Sequence, residues 1–154
     1  MVEFLFRNLP FIRHAPPAKS LDIKAVEEEI GALFPADYRQ FLQTLDGGRV
    51  EKNRGIMVSV REQRPRSFEM LTFYSAEKSE HSISNMRQGY DFQERVPDLI
   101  VPIGRFTGDY RPCISLREKD YGYIYMWAPR HLWETDVDEE ELVQTEEDLC
   151  FIAK

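Results

Sequence analysis

The sequence contains little cysteine: two residues, Cys113 and Cys150, in a chain of 154. Neither has a His or Cys neighbour at the spacing of a metal site, and both lie in apolar runs that are typical of strands. We therefore expect two buried free thiols. A disulfide between them would require the two strands to be neighbours, and the reducing compartment predicted below disfavours one.

The chain also lacks a long apolar run. Its first dozen residues are apolar only in patches, and no small-residue cleavage pattern follows them. The interrupting polar residues and proline are Glu3, Arg7, Asn8 and Pro10. The sequence therefore predicts neither a signal peptide nor a membrane span, and we expect a cytoplasmic protein without a membrane partner.

Internal repeats and low-complexity tracts are lacking as well. A chain of this length is sufficient for one domain that buries roughly two thirds of its unfolded surface. Residues 14–17, His-Ala-Pro-Pro, indicate a stiff linker. We therefore divide the chain into an N-terminal arm, residues 1–19, and one domain, residues 20–154. The arm contributes a strand or a short helix, and a loosely held arm is the alternative.

Common catalytic and phosphate-binding motifs, such as G-x-S-x-G, H-E-x-x-H and the Walker loop, do not occur in the sequence. The glycine-flanked segment 104–109 lacks the Lys-Ser/Thr pair that contacts phosphates, so it indicates a plain turn. The histidines His14, His81 and His131 are far apart in the sequence. We predict no catalytic residues, no cofactor and no metal site; an enzyme with an unrecognised site is the least favoured alternative.

What the chain does contain is a pair of amphipathic helices between residues 20 and 48. Ser20 is the expected cap of the first helix. Its predicted buried face carries apolar residues at helical spacing, namely Ile23, Val26, Ile30 and Leu33. Pro35 cannot continue this helix but suits the first turn of another. The first helix is therefore expected to end at Phe34–Pro35.

The second helix has apolar residues at positions i, i+3, i+4 and i+7, which are Tyr38, Phe41, Leu42 and Leu45. It is expected to end at Gly47–Gly48, because glycine readily adopts the left-handed conformation that closes many helices. Two such short helices must pack on an apolar partner, which the rest of the chain has to supply.

After residue 48 the sequence changes to short apolar runs, which predict strands. The predicted strands are 55–60, 67–74, 99–104, 113–116 and 121–127. A turn is expected at 105–111. Within 77–95 we expect a helix that is capped by Ser82 and directs Ile83, Met86 and Tyr90 inward. Residues 149–153 are either a final strand or the start of a last helix.

The run 121–127 is apolar on both faces of a strand. Alternation places one set of aromatic residues together, namely Tyr121, Tyr123, Tyr125 and Trp127, opposite Ile124 and Met126. This pattern predicts a central strand. For the tyrosines, an aromatic core is favoured over an exposed recognition surface.

The net charge of −7 is concentrated near the C-terminus. Residues 134–148 hold nine acidic residues and no Lys or Arg, whereas residues 1–133 hold 18 acidic and 19 basic residues. Asp136, Asp138 and Glu140 alternate as the ligands of a calcium loop do, but Glu141 occupies the position that requires glycine. The calcium prediction therefore fails. A solvated charged loop and a binding role stay as alternatives.

Six basic residues follow the helix pair: Arg49, Lys52, Arg54, Arg61, Arg64 and Arg66. Such a patch is what nucleic-acid binding requires. However, the chain as a whole is acidic, and bases near strand ends are typical of a solvated rim. We expect no nucleic-acid partner.

Residues 23–48 resemble the opening of the SUKH superfamily, the Smi/Knr-type domain. The matching residues are Ile23, Val26, Glu27, Ile30, Gly31, Phe34, Pro35, Asp37, Tyr38, Arg39, Phe41, Leu42, Leu45, Asp46, Gly47 and Gly48. The segments 99–104, 108–109, 114–116 and 122–127 are similar to the strand block of that family, in the same order. Together these matches extend over most of residues 20–127.

The resemblance implies an α+β fold: a single domain with a mixed, mainly antiparallel sheet, flanking helices and an N-terminal helix pair. Structural roles are predicted for Pro35, Tyr38, Phe41, Gly47, Gly48 and Trp127. In bacteria the resemblance most often implies a non-enzymatic immunity protein that neutralises a toxin. The alternative is a regulatory scaffold that binds other cellular proteins.

The resemblance also favours a binding role for the acidic stretch. Clustered carboxylates mimic nucleic-acid phosphates and steer a protein toward a basic nuclease-type toxin. The predicted partner-binding residues are Asp136, Asp138, Glu139, Glu140 and Glu141. The expected partner is therefore a cognate toxin domain, while the oligomeric state stays open.

Overall fold

The structure, a computed structural model, describes residues 11–14, 17–50, 55–58, 66–89, 96–127 and 149–153. The helices are α1 (Ser20–Ile30), α2 (Ala36–Thr44) and α3 (Ile83–Arg87). The strands are β1 (Phe11–His14), β2 (Gly48–Val50), β3 (Gly55–Val58), β4 (Arg66–Phe73), β5 (Ile100–Pro102), β6 (Gly104–Phe106), β7 (Arg111–Ser115), β8 (Ile124–Trp127) and β9 (Leu149–Ala153). Short 3₁₀ turns occupy Thr107–Asp109 and Glu118–Asp120.

The strands form two antiparallel sheets, and the predicted α+β class is confirmed. In the first sheet β4 is the central strand, since it pairs with β2, β3 and β6. β1 pairs with β2. The second sheet has the order β5-β7-β8-β9. The prediction of one mixed sheet is corrected: every pairing between these strands is antiparallel, and the parallel contact in the described ranges is an isolated bridge, Ser75 to Ser82.

The first helix ends earlier than the sequence pattern predicts. Ile23, Val26 and Ile30 are buried as expected. Gly31, however, adopts the left-handed conformation (φ 79°), and its N–H donates to Glu27 O at 2.9 Å, which closes α1 after Ile30. Leu33, predicted on the buried face, therefore lies beyond the helix and is 63% exposed.

The predicted cap of α1 is also displaced. Lys19 has the extended backbone of an N-cap residue, and Ser20 is already in the first turn. The cap of α3 is confirmed, because Ser82 Oγ accepts the N–H of Asn85 at 3.2 Å and Ile83 is buried. That helix ends at Arg87, and Tyr90, which was expected on its inner face, lies outside the described residues.

Pro35 precedes α2, and its carbonyl accepts the N–H of Arg39 at 2.9 Å. The buried rings of Phe34, Tyr38 and Phe41 are in contact, and Phe41 meets Phe73 of β4 at 5.4 Å between centroids. This aromatic row joins the helix pair to the first sheet.

The expected end of α2 at Gly47–Gly48 is wrong. The helix ends at Thr44, with Leu45 in an extended conformation. Gly47 has a φ of +77°, and a Cβ atom there would lie 2.7 Å from Phe73 O. Gly48 opens β2. The glycine pair thus lets the chain pass close to β4 rather than closing the helix.

Strand β8 is central in the second sheet, as predicted, because β7 and β9 flank it. Ile124 and Met126 belong to the main core, whereas Trp127 packs in a second cluster with Cys113. Tyr121, expected in the same strand, lies in the preceding turn and is 47% exposed. An aromatic core therefore does not include Tyr121.

The two cysteines lie on strands that are not neighbours, since β8 separates β7, with Cys113, from β9, with Cys150. The Cys113 thiol is free and buried. Residues 149–153, for which a strand and a helix start were both considered, form the strand β9.

The predicted strand 99–104 is two strands, and Ile103 stands between them. Its N–H donates to Pro112 O of β7, and its carbonyl accepts the N–H of Tyr74, each at 2.9 Å. β5 therefore belongs to one sheet and β6 to the other. The turn predicted at 105–111 is shorter, because β6 continues to Phe106 and β7 begins at Arg111.

Strand β1 pairs antiparallel with β2 and includes His14, which the sequence pattern assigns to a linker. Residues 1–10 lie outside the described part, and the division into an arm and a domain stays a prediction. Among the described helices, none combines the length and apolar character that crossing a membrane requires.

Candidate partner-binding surface at the helical corner

The structure leaves the predicted partner-binding residues outside its described ranges. All five, Asp136, Asp138, Glu139, Glu140 and Glu141, fall in the undescribed segment 128–148. Of the basic patch, Arg49 is exposed on β2, and Arg66 is described only as backbone of β4. The other four bases lie outside the described ranges.

The predicted structural residues fall into two places. Tyr38, Phe41 and Pro35 are buried beneath the corner between α1 and α2, and Gly47 and Gly48 link α2 to the first sheet. Trp127 lies in the smaller core cluster of the second sheet. The predicted structural residues therefore belong to two separate parts of the fold.

The buried carboxylate of Glu27 organises the corner between the helices. Its Oε1 atom accepts the backbone N–H of Phe34 at 2.8 Å and an Nη2 hydrogen bond from Arg39 at 2.6 Å. One side chain of α1 therefore fixes both the connecting segment and the first turns of α2. A buried charge needs such partners, because an unpaired carboxylate in the interior is strongly destabilising.

Tyr121 joins this corner from the other half of the chain. Its hydroxyl donates to Leu33 O at 3.0 Å. Burial raises the pKa of the Tyr121 hydroxyl, and the negative charge of Glu27 adds to the rise. Leu33 and Tyr121 are exposed, as are Leu21 and Leu71, among the large apolar residues whose burial the structure describes. The hydrogen bond places the Tyr121 hydroxyl against the backbone of Leu33.

The turn that carries Tyr121 is anchored by the buried carboxylate of Asp120. This group accepts hydrogen bonds from Ser115 Oγ, from the Arg117 guanidinium and, at 2.7 Å, from Tyr125 OH. Burial alone would raise the pKa of Asp120, but the hydrogen bonds from Arg117, Ser115 and Tyr125 lower it to about 2. Burial and the bond to Asp120 raise the pKa of Tyr125 to about 12.

A third buried acid, Asp46, serves a different junction. Its Oδ1 and Oδ2 atoms accept the N–H groups of Ala76 at 2.6 Å and Glu77 at 3.0 Å. Burial raises the pKa of Asp46, and repulsion from Glu77 and Asp22 acts in the same direction. Asp46 therefore holds the segment after β4 against the end of α2.

Two open grooves flank α1. The first, about 360 Å³, is lined by Lys24, Glu27, Glu28, Gly31, Ala32 and Leu33. We call it the corner groove. The second, about 350 Å³, is lined by Asp22, Ala25, Val26, Glu29, Ala76, Glu77, Lys78 and Ser84. We call it the acidic groove, because three carboxylates face one lysine in its lining.

Sequence reasoning missed Leu33 and Tyr121 as surface residues. Periodicity extended α1 to Leu33, although Gly31 two residues earlier was a recognisable stop signal. Alternation extended β8 to Tyr121, although Gly122 next to it (φ 81°) indicates a turn. If the two glycines had been given more weight than the periodicity, both residues would have been predicted to lie outside the helix and the strand.

Within the described ranges, His, Cys, Asp and Glu side chains do not form a group of three that could hold a metal ion.

Comparison with protein families gives a match over most of the chain: the model of the SMI1 / KNR4 family (SUKH-1) matches residues 17–149. The search of curated proteins finds no match. The family match confirms the resemblance that the helix pair and the strand block carry.

Proposed function

The chain belongs to the SMI1 / KNR4 family (SUKH-1), and from this premise we propose that it is a non-enzymatic binding protein that neutralises a toxin domain by covering part of its surface. The family is known for immunity proteins and generally consists of binding domains. The match over residues 17–149 is the observation that carries the proposal.

The corner between α1 and α2 supports a binding role. It exposes a leucine and a tyrosine on backbone that is held by the hydrogen bonds of Glu27 and Tyr121. Tyrosine and arginine are enriched among the residues that dominate binding energy, and Arg39 lies at the same corner. Rigid anchors lose little entropy on binding, which favours an interface.

The buried acids Asp120 and Asp46 have roles in the fold. The described hydrogen-bond donors to Asp120 belong to the β7–β8 region, and both oxygens of Asp46 accept backbone amides. A carboxylate with a pKa of about 2 is a poor proton acceptor near neutral pH. These sites support stabilising roles rather than acid–base chemistry.

For the acidic stretch 134–148 we propose long-range steering. Asp136, Asp138, Glu139, Glu140 and Glu141 would accelerate encounter with a basic toxin surface through an electrostatic attraction that salt screens. The proposed location is the cytoplasm, where a toxin made by the same cell or by kin must be blocked.

The test is co-expression of the full chain with the toxin domain from the neighbouring reading frame. Growth rescue together with direct binding in calorimetry is the expected result. A neighbouring metabolic operon and no toxin binding would overturn the immunity proposal. Binding of a cellular protein without growth rescue would instead favour the regulatory scaffold.

A further inference from the structure

We propose that the corner groove with Leu33 and Tyr121 is the contact that sets the lifetime of the complex, and that it receives an uncharged apolar side chain of the protein partner. This inference rests on the proposed binding function and deepens it. It assigns the apolar contact to a surface that the structure describes, whereas the acidic stretch lies outside the described ranges.

Hydrogen bonds hold the backbone on both sides of Leu33. Gly31 and Ala32 donate their N–H groups to Glu27 O at 2.9 and 3.2 Å, and Phe34 donates to the Glu27 side chain. The Leu33 carbonyl is held by Tyr121. The backbone that carries Leu33 is thus already fixed, so the binding of a partner group costs little additional loss of backbone entropy.

The charges at the corner groove are paired. Lys24 Nζ lies 3.6 Å from Glu28 Oε1, and Arg39 neutralises Glu27 at 2.6 Å. The lining with Arg39 therefore has no net charge, although the whole chain carries −7. A groove without net charge, with Ala32 and Leu33 in its wall, complements an uncharged apolar group, since a charged group would lose hydration while the charges of the groove are already paired.

The acidic groove on the same helix provides the contrast. Its lining has the carboxylates of Asp22, Glu29 and Glu77 against the amine of Lys78. Such a lining complements a cation instead. The two grooves differ in charge. Two small probes with the same alkyl chain, one neutral and one cationic, can therefore distinguish them.

The first experiment compares Leu33→Ala with Leu21→Ala, a matched control because Leu21 is 77% exposed but is not part of the corner groove lining. Surface plasmon resonance with the toxin domain should give a dissociation rate about 30-fold faster for Leu33→Ala, as expected for an anchor residue. The association rate should change less than about 2-fold, and the effect should persist at high salt. Leu21→Ala should match the parent.

The inference is overturned if Leu21→Ala has an equal effect, or if the effect of Leu33→Ala disappears at high salt. Tyr121→Phe keeps the ring and removes the bond to Leu33, so it should accelerate dissociation by a smaller factor. Thermal unfolding of each variant shows whether a loss of folding explains the change.

A second experiment needs no toxin and separates this inference from the proposed function. Isobutanol and isobutylammonium have the same alkyl group and differ in charge. In NMR titrations of the full chain, isobutanol should shift the amides of Gly31, Ala32 and Leu33, whereas isobutylammonium should not. Unshifted amides with isobutanol, or equal shifts with both probes, would overturn the inference even if a toxin binds elsewhere. Toxin-binding failure with the expected shifts would overturn only the proposed function.

Discussion

Arg39 Nη2 lies 2.6 Å from Glu27 Oε1, the same oxygen that accepts the backbone N–H of Phe34. Removing the carboxylate leaves an arginine and an amide without their acceptor. We expect Glu27→Ala to lower the free energy of unfolding by about 3 kcal/mol in urea titrations. Glu28→Ala is the control, since its exposed pair with Lys24 contributes less than about 0.5 kcal/mol. Equal losses in both variants would contradict the proposed role of Glu27.

Gly47 and Gly31 have nearly the same φ, 77° and 79°, in different surroundings. Both have positive φ, but a Cβ at Gly47 meets Phe73 O at 2.7 Å, whereas a Cβ at Gly31 meets nothing within 4 Å. Gly31→Ala should cost about 1 kcal/mol from backbone strain alone. Gly47→Ala should lower the free energy of unfolding by about 2 kcal/mol more than Gly31→Ala, because the backbone at residue 47 must move away from β4. Calorimetric melting of both variants measures the difference, and similar melting temperatures would exclude the close approach.

The pKa of Asp120 predicts an acid-dependent loss of stability. Its folded pKa of about 2 lies below the ordinary 3.8, so the ionised group stabilises the fold above pH 4. This contribution, about 2 kcal/mol, is lost as the pH falls from about 4 to about 2. Asp120→Asn should be less stable at pH 7 and should lose less stability on acidification.

The matched control for Asp120 is Asp109→Asn. Asp109 forms an exposed ion pair with Arg105, which solvent screens. Urea midpoints at pH 7, 4 and 2.5 should therefore follow the parent for Asp109→Asn. If Asp120→Asn lost as much stability on acidification as the parent does, another group would control the pH dependence.

The acidic stretch should control the rate of association. Reversing Asp138, Glu139, Glu140 and Glu141 to lysine adds eight units of positive charge, which repels a basic toxin. At low salt the association rate should fall by at least about 10-fold, and the difference should shrink at high salt. The melting temperature should stay almost unchanged. Unaltered capture kinetics would exclude steering.

Periodicity predicted the elements whose apolar residues are buried, and it failed at their ends. The spacing of apolar residues predicts α1, α2 and β8, and Ile23, Tyr38 and Ile124 are buried as that spacing predicts. The ends of these elements depend on single residues such as Gly31, whose backbone conformation overrides the pattern. Local stop signals and side-chain periodicity are separate sources of information, and here the stop signals decided the boundaries.

The candidate surface was harder to predict because it is made by contacts distant in sequence. Leu33 and Tyr121 are 88 positions apart, and their hydrogen bond depends on how the helix pair packs against the second sheet. Sequence spacing cannot place two such residues together without the fold. The resemblance supplied the family and the fold class, but it did not indicate this pair.

Ile103 has a consequence for how the protein unfolds. Its amide is bonded into the second sheet and its carbonyl to Tyr74, directly after β4 of the first. Opening either sheet alone would break one of these buried bonds at the shared residue, so we expect the two sheets to open together. Hydrogen exchange at Tyr74 and Ile103 should accordingly report one common free energy of opening, equal to that of cooperative global unfolding.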